Sequence, residues 1–259
     1  MMQKEIDVTA LGELLIDFTE NGVSSQGNAL LEANPGGAPC NVLAMLGKLG
    51  KKTAFIGKVG NDQFGKMLRK TIESVGIDAE GLVIDDKVHT TLAFVHTYPD
   101  GDRDFSFYRN PGADMMLRKE EVSLDKICAS KIFHFGTLSF THAGIRTASQ
   151  YAIQCAKEAG ALISFDPNLR EPLWENLEDA RKVIEYGMEC CDILKISDNE
   201  LTFMTGEKDY DKGAVLLQQK YQIPLVCVTL GKDGSRAYYK GLTIKAEPFL
   251  QKNTIETTG

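Results

Sequence analysis

The stretch NPGGAPCNVLAMLGKLGKKTAFIGKVG, from Asn34 to Gly60, decides the fold of this 259-residue chain. It opens with a tight Pro-Gly-Gly bend at residues 35–37. An apolar face with the helical spacing i, i+3, i+4, i+7 follows, and its residues are Val42, Met45, Leu46 and Leu49. Gly50 stands where a helix-ending glycine belongs, and the apolar residues 53–56 are typical of a strand. The pattern predicts a loop, a helix and a strand in succession.

The glycine pair in this stretch is also a candidate ligand site. Two glycines before a helix let a ligand approach the backbone, and the N–H groups of the helix start point towards it. Asn41 lies one turn into the helix, and its amide both donates and accepts hydrogen bonds, which suits a hydroxyl-rich ligand. An ordinary structural corner explains the same residues equally well, so the function depends on the rest of the chain.

Composition excludes several classes of protein. The net charge of −7 argues against a nucleic-acid partner, because nucleic acids are bound by basic surfaces. No apolar run approaches the length of a membrane span, and the first residues do not have the pattern of a signal peptide. The six cysteines have no paired spacing and the four histidines are scattered. We therefore expect reduced thiols, no zinc site and a cytoplasmic protein without membrane or nucleic-acid partners.

Ahead of the deciding stretch, residues 6–11 are predicted to form a buried strand. A second apolar run at residues 14–16 ends in Asp17. A carboxylate at the end of an inner strand is where α/β proteins place ligand contacts. Taken alone, a solvated aspartate is the more ordinary explanation of Asp17.

Residues 60–67, GNDQFGKM, are a near miss to the phosphate-binding P-loop GxxxxGK[ST]. Met67 stands where that loop requires a hydroxyl group for Mg²⁺. The pattern also predicts a helix that begins near Asp62, and its apolar face is Phe64, Leu68, Ile72 and Val75. We therefore reject the P-loop and interpret Asp62 as a helix cap.

Two β-like segments interrupt the alternation of strands and helices along the chain. Residues 18–34 are polar and contain several glycines, and within residues 88–110 two strands at 91–95 and 104–108 flank a turn at 98–103. These two segments are predicted to pair as a small separate sheet. Such a sheet serves either as a lid over a site or as a dimer-forming edge, and the two roles are compatible.

From residue 131 strands and helices alternate regularly, which predicts a parallel sheet with ligands at the carboxyl ends of the strands. The predicted strands are 131–135, 161–165, 192–196 and 224–229, and the predicted helices are 144–159, 174–189, 198–204 and 210–221. Three strand ends carry polar clusters, at 166–170, 197–200 and 229–234. A capping box and a hairpin turn explain two of them singly. All three on one edge favour a phosphorylated ligand with Mg²⁺.

Seven motifs in order resemble those of the PfkB (ribokinase-like) carbohydrate kinases, and most closely the fructokinases among them. The motifs are GELLIDF (12–18), NPGGAPCNV (34–42), GKVGNDQFG (57–65), FYRNPGADM (107–115), FDPNLREPLW (165–174), LKISDNELTFMTG (194–206) and VTLGKDGS (228–235). The resemblance implies one three-layer α/β/α domain over residues 1–259, with a mainly parallel sheet and a small β-lid formed by about 18–34 and 88–110. It also implies ATP-dependent phosphorylation of a sugar, D-fructose to fructose 6-phosphate.

Site residues follow from the motif positions. The sugar and the transferred phosphate would be held by Asp17, Gly36, Gly37, Asn41, Phe94, Phe107, Arg109 and Arg170, with Arg170 also stabilising charge. The nucleotide would be bound by Asn168, Ser197, Thr229, Gly231, Gly234 and Gly259. Glu200 would act on Mg²⁺ through water. The resemblance leaves open whether K⁺ activates. The chain departs from the family at Ser197, where many relatives have asparagine, and at Leu43, where a smaller residue is usual.

The last residues, IETTG at 255–259, lead up to the family's GAGD motif and stop at its first glycine. The catalytic aspartate would follow Gly259, so we expect that the C-terminal part is missing and that the printed chain is inactive. We also expect a homodimer formed through the lid. Two other functions stay open: a 2-keto-3-deoxygluconate kinase or another PfkB sugar kinase, and a catalytically dead sugar-binding relative. A Rossmann-type regulator is disfavoured because no GxGxxG motif opens a strand–helix unit.

Overall fold

The computed structural model describes residues 4–97 and 103–249 of the chain. Its strands are β1 (Ile6–Leu11), β2 (Leu15–Val23), β3 (Ala29–Gly36), β4 (Thr53–Gly60), β5 (Ile77–Asp85), β6 (Leu92–Thr97), β7 (Arg103–Tyr108), β8 (Ser130–Gly136), β9 (Leu162–Asp166), β10 (Ile193–Ser197), β11 (Leu225–Thr229), β12 (Ser235–Tyr239) and β13 (Leu242–Ala246). Its α-helices are α1 (Ala38–Lys48), α2 (Gln63–Ser74), α3 (Leu124–Cys128), α4 (Ala143–Glu158), α5 (Leu177–Cys190), α6 (Asp198–Thr205) and α7 (Tyr210–Tyr221).

Within the described residues, nine strands form the main sheet in the order β13-β12-β11-β10-β9-β8-β1-β4-β5. Every pairing from β5 to β11 is parallel, and β12 and β13 add an antiparallel edge. The predicted, mainly parallel sheet is therefore confirmed. Because parallel strands end at the same edge, the segments that follow β1, β8, β9 and β10 come together there.

The main sheet is covered on both faces. Ala10 and Phe55 belong to one cluster of buried side chains together with residues of α1 and α2. Their neighbours Leu11 and Ile56 belong to a second cluster, which contains residues of α4 and α5. Successive residues of a strand point to opposite faces of a sheet, so the two clusters lie on the two sides. The α/β/α layering is therefore confirmed.

The two β-like segments pair as predicted into a second sheet of four strands in the order β3-β2-β6-β7, which we call the small sheet. β2 and β6 run parallel, whereas β2–β3 and β6–β7 are antiparallel. The strands of the small sheet are longer than predicted, because β2 begins at Leu15 and β3 continues to Gly36. The predicted turn at 98–103 lies outside the described residues except for Arg103.

Most predicted boundaries after residue 131 are correct to within one residue, and α7 matches the prediction. The helix α5 begins three residues later than predicted, because Asn176 caps it by accepting a hydrogen bond from the N–H of Asp179. Asp62 caps α2 as predicted, accepting from the N–H of Gly65 at 2.8 Å. Two strands were missed, β5 and β13. Both lie at edges of the main sheet, where one side lacks a neighbouring strand.

The predicted apolar face of α1 is only partly correct. Leu46 packs against the core, but Met45 and Leu49 are 57% and 66% exposed, and Cys40 and Leu43 are buried against the main sheet. The helix has two apolar stripes, and the stripe that contains Leu43 packs against the main sheet. Leu43 is the position at which the kinases that the motifs resemble usually have a smaller residue. Gly50 has a φ of 75° just after the helix, as a helix-ending glycine does.

All six cysteines are free thiols, as expected from their spacing. None of the helices in the described part of the chain is both long enough and apolar enough to span a membrane.

Candidate functional site

A cavity of about 330 Å³ lies where the segments after β1 and β9 meet the small sheet. Its walls come from five places: the end of β1, the start of α1, the small sheet, the segment after β8, and the ends of β9 and β10. The lining residues are Glu13, Leu15, Asp17, Gly37, Ala38, Asn41, Val42, Phe105, Phe107, Leu138, Asp166, Asn168, Arg170 and Lys195. The structure therefore brings together six predicted site residues from distant parts of the chain: Asp17, Gly37, Asn41, Phe107, Asn168 and Arg170.

The glycine pair is required by two close approaches. A Cβ atom on Gly36 would overlap the carboxylate of Asp17, and one on Gly37 would overlap the backbone oxygen of Glu13. Gly37 also has a φ of 121°, which L-residues rarely adopt. The two glycines thus let the end of β1 and the start of β2 lie directly against the start of α1. Asp17 and Asn41 both line the cavity as a result.

Glu13 is a site residue that the sequence reading missed. Its side chain is buried, and its Oε1 accepts a hydrogen bond of 2.9 Å from the N–H of Ala38, the first residue of α1. Burial raises the pKa of Glu13 to about 7; its own N–H and the charge of Arg109 oppose this rise. The signal was available, since Glu13 lies two residues after the end of the strand at Leu11, just as Asp17 follows an apolar run.

The same contact corrects the prediction that the amides at the start of α1 point to a ligand. The N–H of Ala38 is bound to Glu13, and the next residue is Pro39, which has no N–H. These two positions offer no donor to a ligand. The contribution of the glycine pair is close approach of the backbone.

Two phenylalanines of β7 form the aromatic wall of the cavity. Phe107 was predicted, and Phe105 was missed; their rings stack with centroids 5.9 Å apart. Asp17 pairs with Ala93 in β6, and Ala93 pairs with Phe107 in β7. Paired residues of neighbouring strands share one face of a sheet, so this face of the small sheet looks into the cavity.

Phe94, expected to cover the sugar, does not line this cavity. Phe94 is the neighbour of Ala93, and successive strand residues point to opposite faces. Its ring stacks on Phe18 at 5.0 Å, and Phe18 meets Phe64 of α2 edge-on at 5.6 Å. Phe94 therefore supports Phe18, which joins the small sheet to α2, and it does not line the cavity.

Arg109 also lies outside the cavity lining, contrary to its predicted sugar or phosphate contact. Its guanidinium is buried and donates to Asp114 at 2.6 and 2.8 Å, to the hydroxyl of Thr141 at 2.8 Å and to the carbonyl of Leu138 at 3.0 Å. These contacts occupy the guanidinium within the protein. Arg109 holds the segment after β7 against the segment after β8.

Two basic side chains, Lys195 and Arg170, also line the cavity. Lys195 of β10 lies 3.1 Å from the carboxylate of Asp166, and Arg170 stands over the ring of Phe105 at 5.7 Å. Burial raises the pKa of Asp166, and the charge of Lys195 opposes that rise. Lys195 was missed although it lies within the motif at 194–206, because a single lysine inside an apolar strand does not show that it lines a cavity. The cavity lining thus combines carboxyl groups with two cations, and one of these carboxyl groups, that of Asp166, is paired with Lys195.

A second cavity of about 350 Å³ adjoins the first and shares Asn168, Arg170 and Lys195 with it. Ser197 and Glu200 line only the second cavity. Asn168 has a φ of 42°, and its N–H donates to Asp166, so this residue turns the chain between the two cavities. The two cations therefore stand at the boundary between two adjacent compartments.

Glu200 has a defined structural role. It forms the predicted capping box with Ser197, accepting from the N–H and hydroxyl of Ser197 at 2.8 Å each. Its other oxygen accepts a 2.7 Å hydrogen bond from the N–H of Leu169. Over residues 4–97 and 103–249, no group of three or more histidine, cysteine, aspartate or glutamate side chains is placed to hold a metal ion. Any Mg²⁺ here would depend on water and ligand oxygens.

The remaining nucleotide-site predictions lie near the second cavity without lining it. Thr229 pairs with Ser197 across β10 and β11. Gly231 and Gly234 belong to the turn between β11 and β12, both with positive φ, and a Cβ on Gly234 would overlap the carbonyl of Ala246. The hairpin interpretation of this turn is confirmed. Gly259 lies outside the described residues.

Comparison with known proteins identifies the family. Residues 5–259 match the family described as pfkB family carbohydrate kinase. The chain is 44% identical to fructokinase-2 of Solanum lycopersicum over 255 residues, which cover 97% of this chain and 77% of that protein.

Two solved structures are similar over nearly the whole chain. The fructokinase of Xylella fastidiosa with bound ATP matches with a TM-score of 0.85 at 30% identity, covering 96% of this chain and 76% of the other. A double mutant of the fructokinase of Vibrio cholerae O395, with fructose, ADP and a potassium ion bound, matches with a TM-score of 0.84 at 28% identity, covering 97% and 79%. The resemblance of the motifs is confirmed, and this chain belongs to the pfkB family of carbohydrate kinases.

Proposed function

We propose that this protein transfers the γ-phosphate of ATP to D-fructose and forms fructose 6-phosphate. The observation that carries the proposal is the lining of the main cavity, which combines hydroxyl-binding side chains from the small sheet and the start of α1 with two cations that also line the second cavity. A kinase must hold a neutral sugar next to a highly charged phosphate, and this arrangement provides for both. The names and bound ligands of the relatives, fructose, ATP and ADP among them, support the same substrates.

Sugar binding is assigned to the part of the cavity that is formed by the small sheet and the start of α1. The carboxylate of Asp17 accepts hydrogen bonds from hydroxyl groups, and the amide of Asn41 both donates and accepts. Gly36 and Gly37 let the sugar lie close to the backbone. Phe107 and Phe105 cover it from the small sheet and exclude water, which protects ATP from hydrolysis.

The transferred phosphate is assigned to the two cations of the cavity lining, Arg170 and Lys195. Phosphoryl transfer depends mainly on positioning and on neutralising the charge of the phosphate oxygens. Arg170 and Lys195 stand at the boundary of the two cavities, where the phosphate would pass from nucleotide to sugar. Phe105 restricts the guanidinium of Arg170, which lowers the cost of ordering it.

The second cavity is the proposed nucleotide site. Asn168 and Ser197 line it, and Thr229, Gly231 and Gly234 follow on the same edge of the main sheet. Mg²⁺, when bound, neutralises phosphate charge. Glu200 would reach the ion through water, since its oxygens already accept three backbone or hydroxyl donors. A potassium ion is present in the Vibrio cholerae structure, and we extend K⁺ to this chain as a possible activator to be tested by ion replacement.

Fructose is favoured over 2-keto-3-deoxygluconate by the charge of the sugar-binding part of the cavity. The sugar acid is an anion, whereas fructose is neutral. Asp17 places a carboxylate among the side chains assigned to the sugar. A carboxylate repels an anionic substrate and accepts hydrogen bonds from a neutral one.

The first test is a substrate comparison with the protein as its gene encodes it in full. With ATP and Mg²⁺, ADP release should give a higher kcat/KM for fructose than for 2-keto-3-deoxygluconate. Asp17→Asn should lower kcat/KM for fructose by about 10- to 100-fold, since a charge-assisted hydrogen bond is lost. A higher kcat/KM for the sugar acid would refute the choice of fructose. Fructose binding without ADP release would instead indicate a sugar-binding relative.

The aromatic wall gives a matched pair of variants. Phe107→Ala should raise the KM for fructose by about tenfold, because it removes the ring that covers the sugar. Phe94→Ala removes the same ring from the opposite face of the small sheet and should leave that KM within about twofold. The measurement is steady-state kinetics at saturating ATP. Equal effects of the two variants on KM would contradict the proposed position of the sugar.

We further propose a homodimer formed through the small sheet, in a cytoplasmic protein. β3 is the outer strand of that sheet, and the β2–β3 hairpin exposes Val23, Leu30 and Leu31 at 67%, 46% and 47%. Exposed apolar side chains beside an open strand edge favour pairing with a second copy. Light scattering at micromolar concentration should give the mass of two chains, and Leu31→Glu should halve it. The control Leu216→Glu, on α7, should not. A wild-type mass of one chain would refute the dimer.

A further inference from the structure

Glu13 links the two segments of the chain that form the sugar-binding part of the cavity. We infer that it is a positioning residue for sugar binding, whose carboxyl group ties the segment after β1 to the first turn of α1. In doing so it sets the positions of Gly37 and Asn41 relative to Asp17. This inference rests on the proposed function, because the effect is defined for fructose.

The first support is the way α1 begins. Most helices are capped by the side chain of the residue before them, but here that residue is Gly37, which has no side chain. The carboxyl group of Glu13 takes this place from another segment and binds the N–H of Ala38 at 2.9 Å. A carboxylate at a helix N-terminus is also stabilised by the helix dipole. The start of α1 is therefore positioned by Glu13.

The second support is that Glu13 contacts the glycine pair through its backbone as well. Its carbonyl oxygen lies where a Cβ of Gly37 would stand. One residue thus fixes the segment at 37–38 from two directions. Asn41 follows one turn later, and its N–H donates to the carbonyl of Gly37 at 3.1 Å, so the position of Gly37 is passed on to Asn41.

The third support is the packing behind Glu13. A small cavity of about 10 Å³ lies there, and Glu13, His134, Thr137 and Asp166 are among its lining residues. A space of this size holds about one water molecule. Burial lowers the pKa of His134 to about 4, so its ring is neutral at pH 7. Because Glu13 lines this space, a shorter side chain at position 13 would enlarge it. Water that entered there would compete for the N–H of Ala38.

The test compares fructose and nucleotide binding in two variants of the full protein. Calorimetry should show that Glu13→Ala weakens fructose binding by about tenfold or more, since both the cap and the position of α1 are lost. The affinity for a non-hydrolysable ATP analogue should stay within about twofold. Glu13→Gln keeps an oxygen that can accept from Ala38 and should restore most of the fructose affinity.

The matched control is Asp62→Ala, which removes the cap of the neighbouring helix α2 outside the cavity. It should lower the melting temperature and leave both affinities unchanged. Unchanged fructose affinity in Glu13→Ala would overturn the inference. So would an equal loss of fructose and nucleotide affinity, which would indicate a purely structural role. If the wild-type protein bound no fructose, the proposed function would fail first and this inference with it.

Discussion

The close contact of Gly36 with Asp17, and of Gly37 with Glu13, is the constraint on which the rest of the site depends. Gly36 ends β3 of the small sheet and Gly37 precedes α1 of the α/β core, so this pair is the junction between the two sheets. Side chains there would displace Asp17 or the backbone of Glu13. With hydrogen atoms in those places, the small sheet can lie directly over the carboxyl ends of the core strands. The cavity exists because of this junction.

The second constraint is the alternation of side chains in the small sheet. One face presents Asp17 and Phe107 to the cavity, whereas the other stacks Phe94 on Phe18, which in turn meets Phe64 of α2. A shift of one residue would exchange the two sets. The aromatic contacts on the outer face therefore fix the register that places the sugar-facing residues. Binding and packing are coupled within one thin sheet.

Much of the fold could be predicted because alternating apolar segments have a strong period. The helix at 210–221 and the capping box of Ser197 and Glu200 follow from local patterns alone. Tertiary choices were harder. The sheet selected the stripe of α1 that contains Leu43, and the edge strand β13 buries too little to give a pattern.

Within the site, motifs predicted Asp17, Gly37, Asn41, Asn168 and Arg170, which line the main cavity. They misplaced Phe94, because a motif does not state which face of a strand a residue occupies. They also misplaced Arg109, since a buried ion pair with Asp114 and a ligand contact look the same in sequence. Glu13 and Lys195 were missed because each is a single charged residue whose importance comes from the neighbours that the fold supplies.

The most direct test is a crystal structure of the protein with fructose and a non-hydrolysable ATP analogue. The account predicts that fructose hydroxyl groups lie within hydrogen-bond distance of Asp17 and Asn41, with Phe107 over the sugar. Arg170 and Lys195 should stand between the sugar and the terminal phosphate. Fructose bound elsewhere, or bound in this cavity without contact to Asp17 and Asn41, would contradict the account.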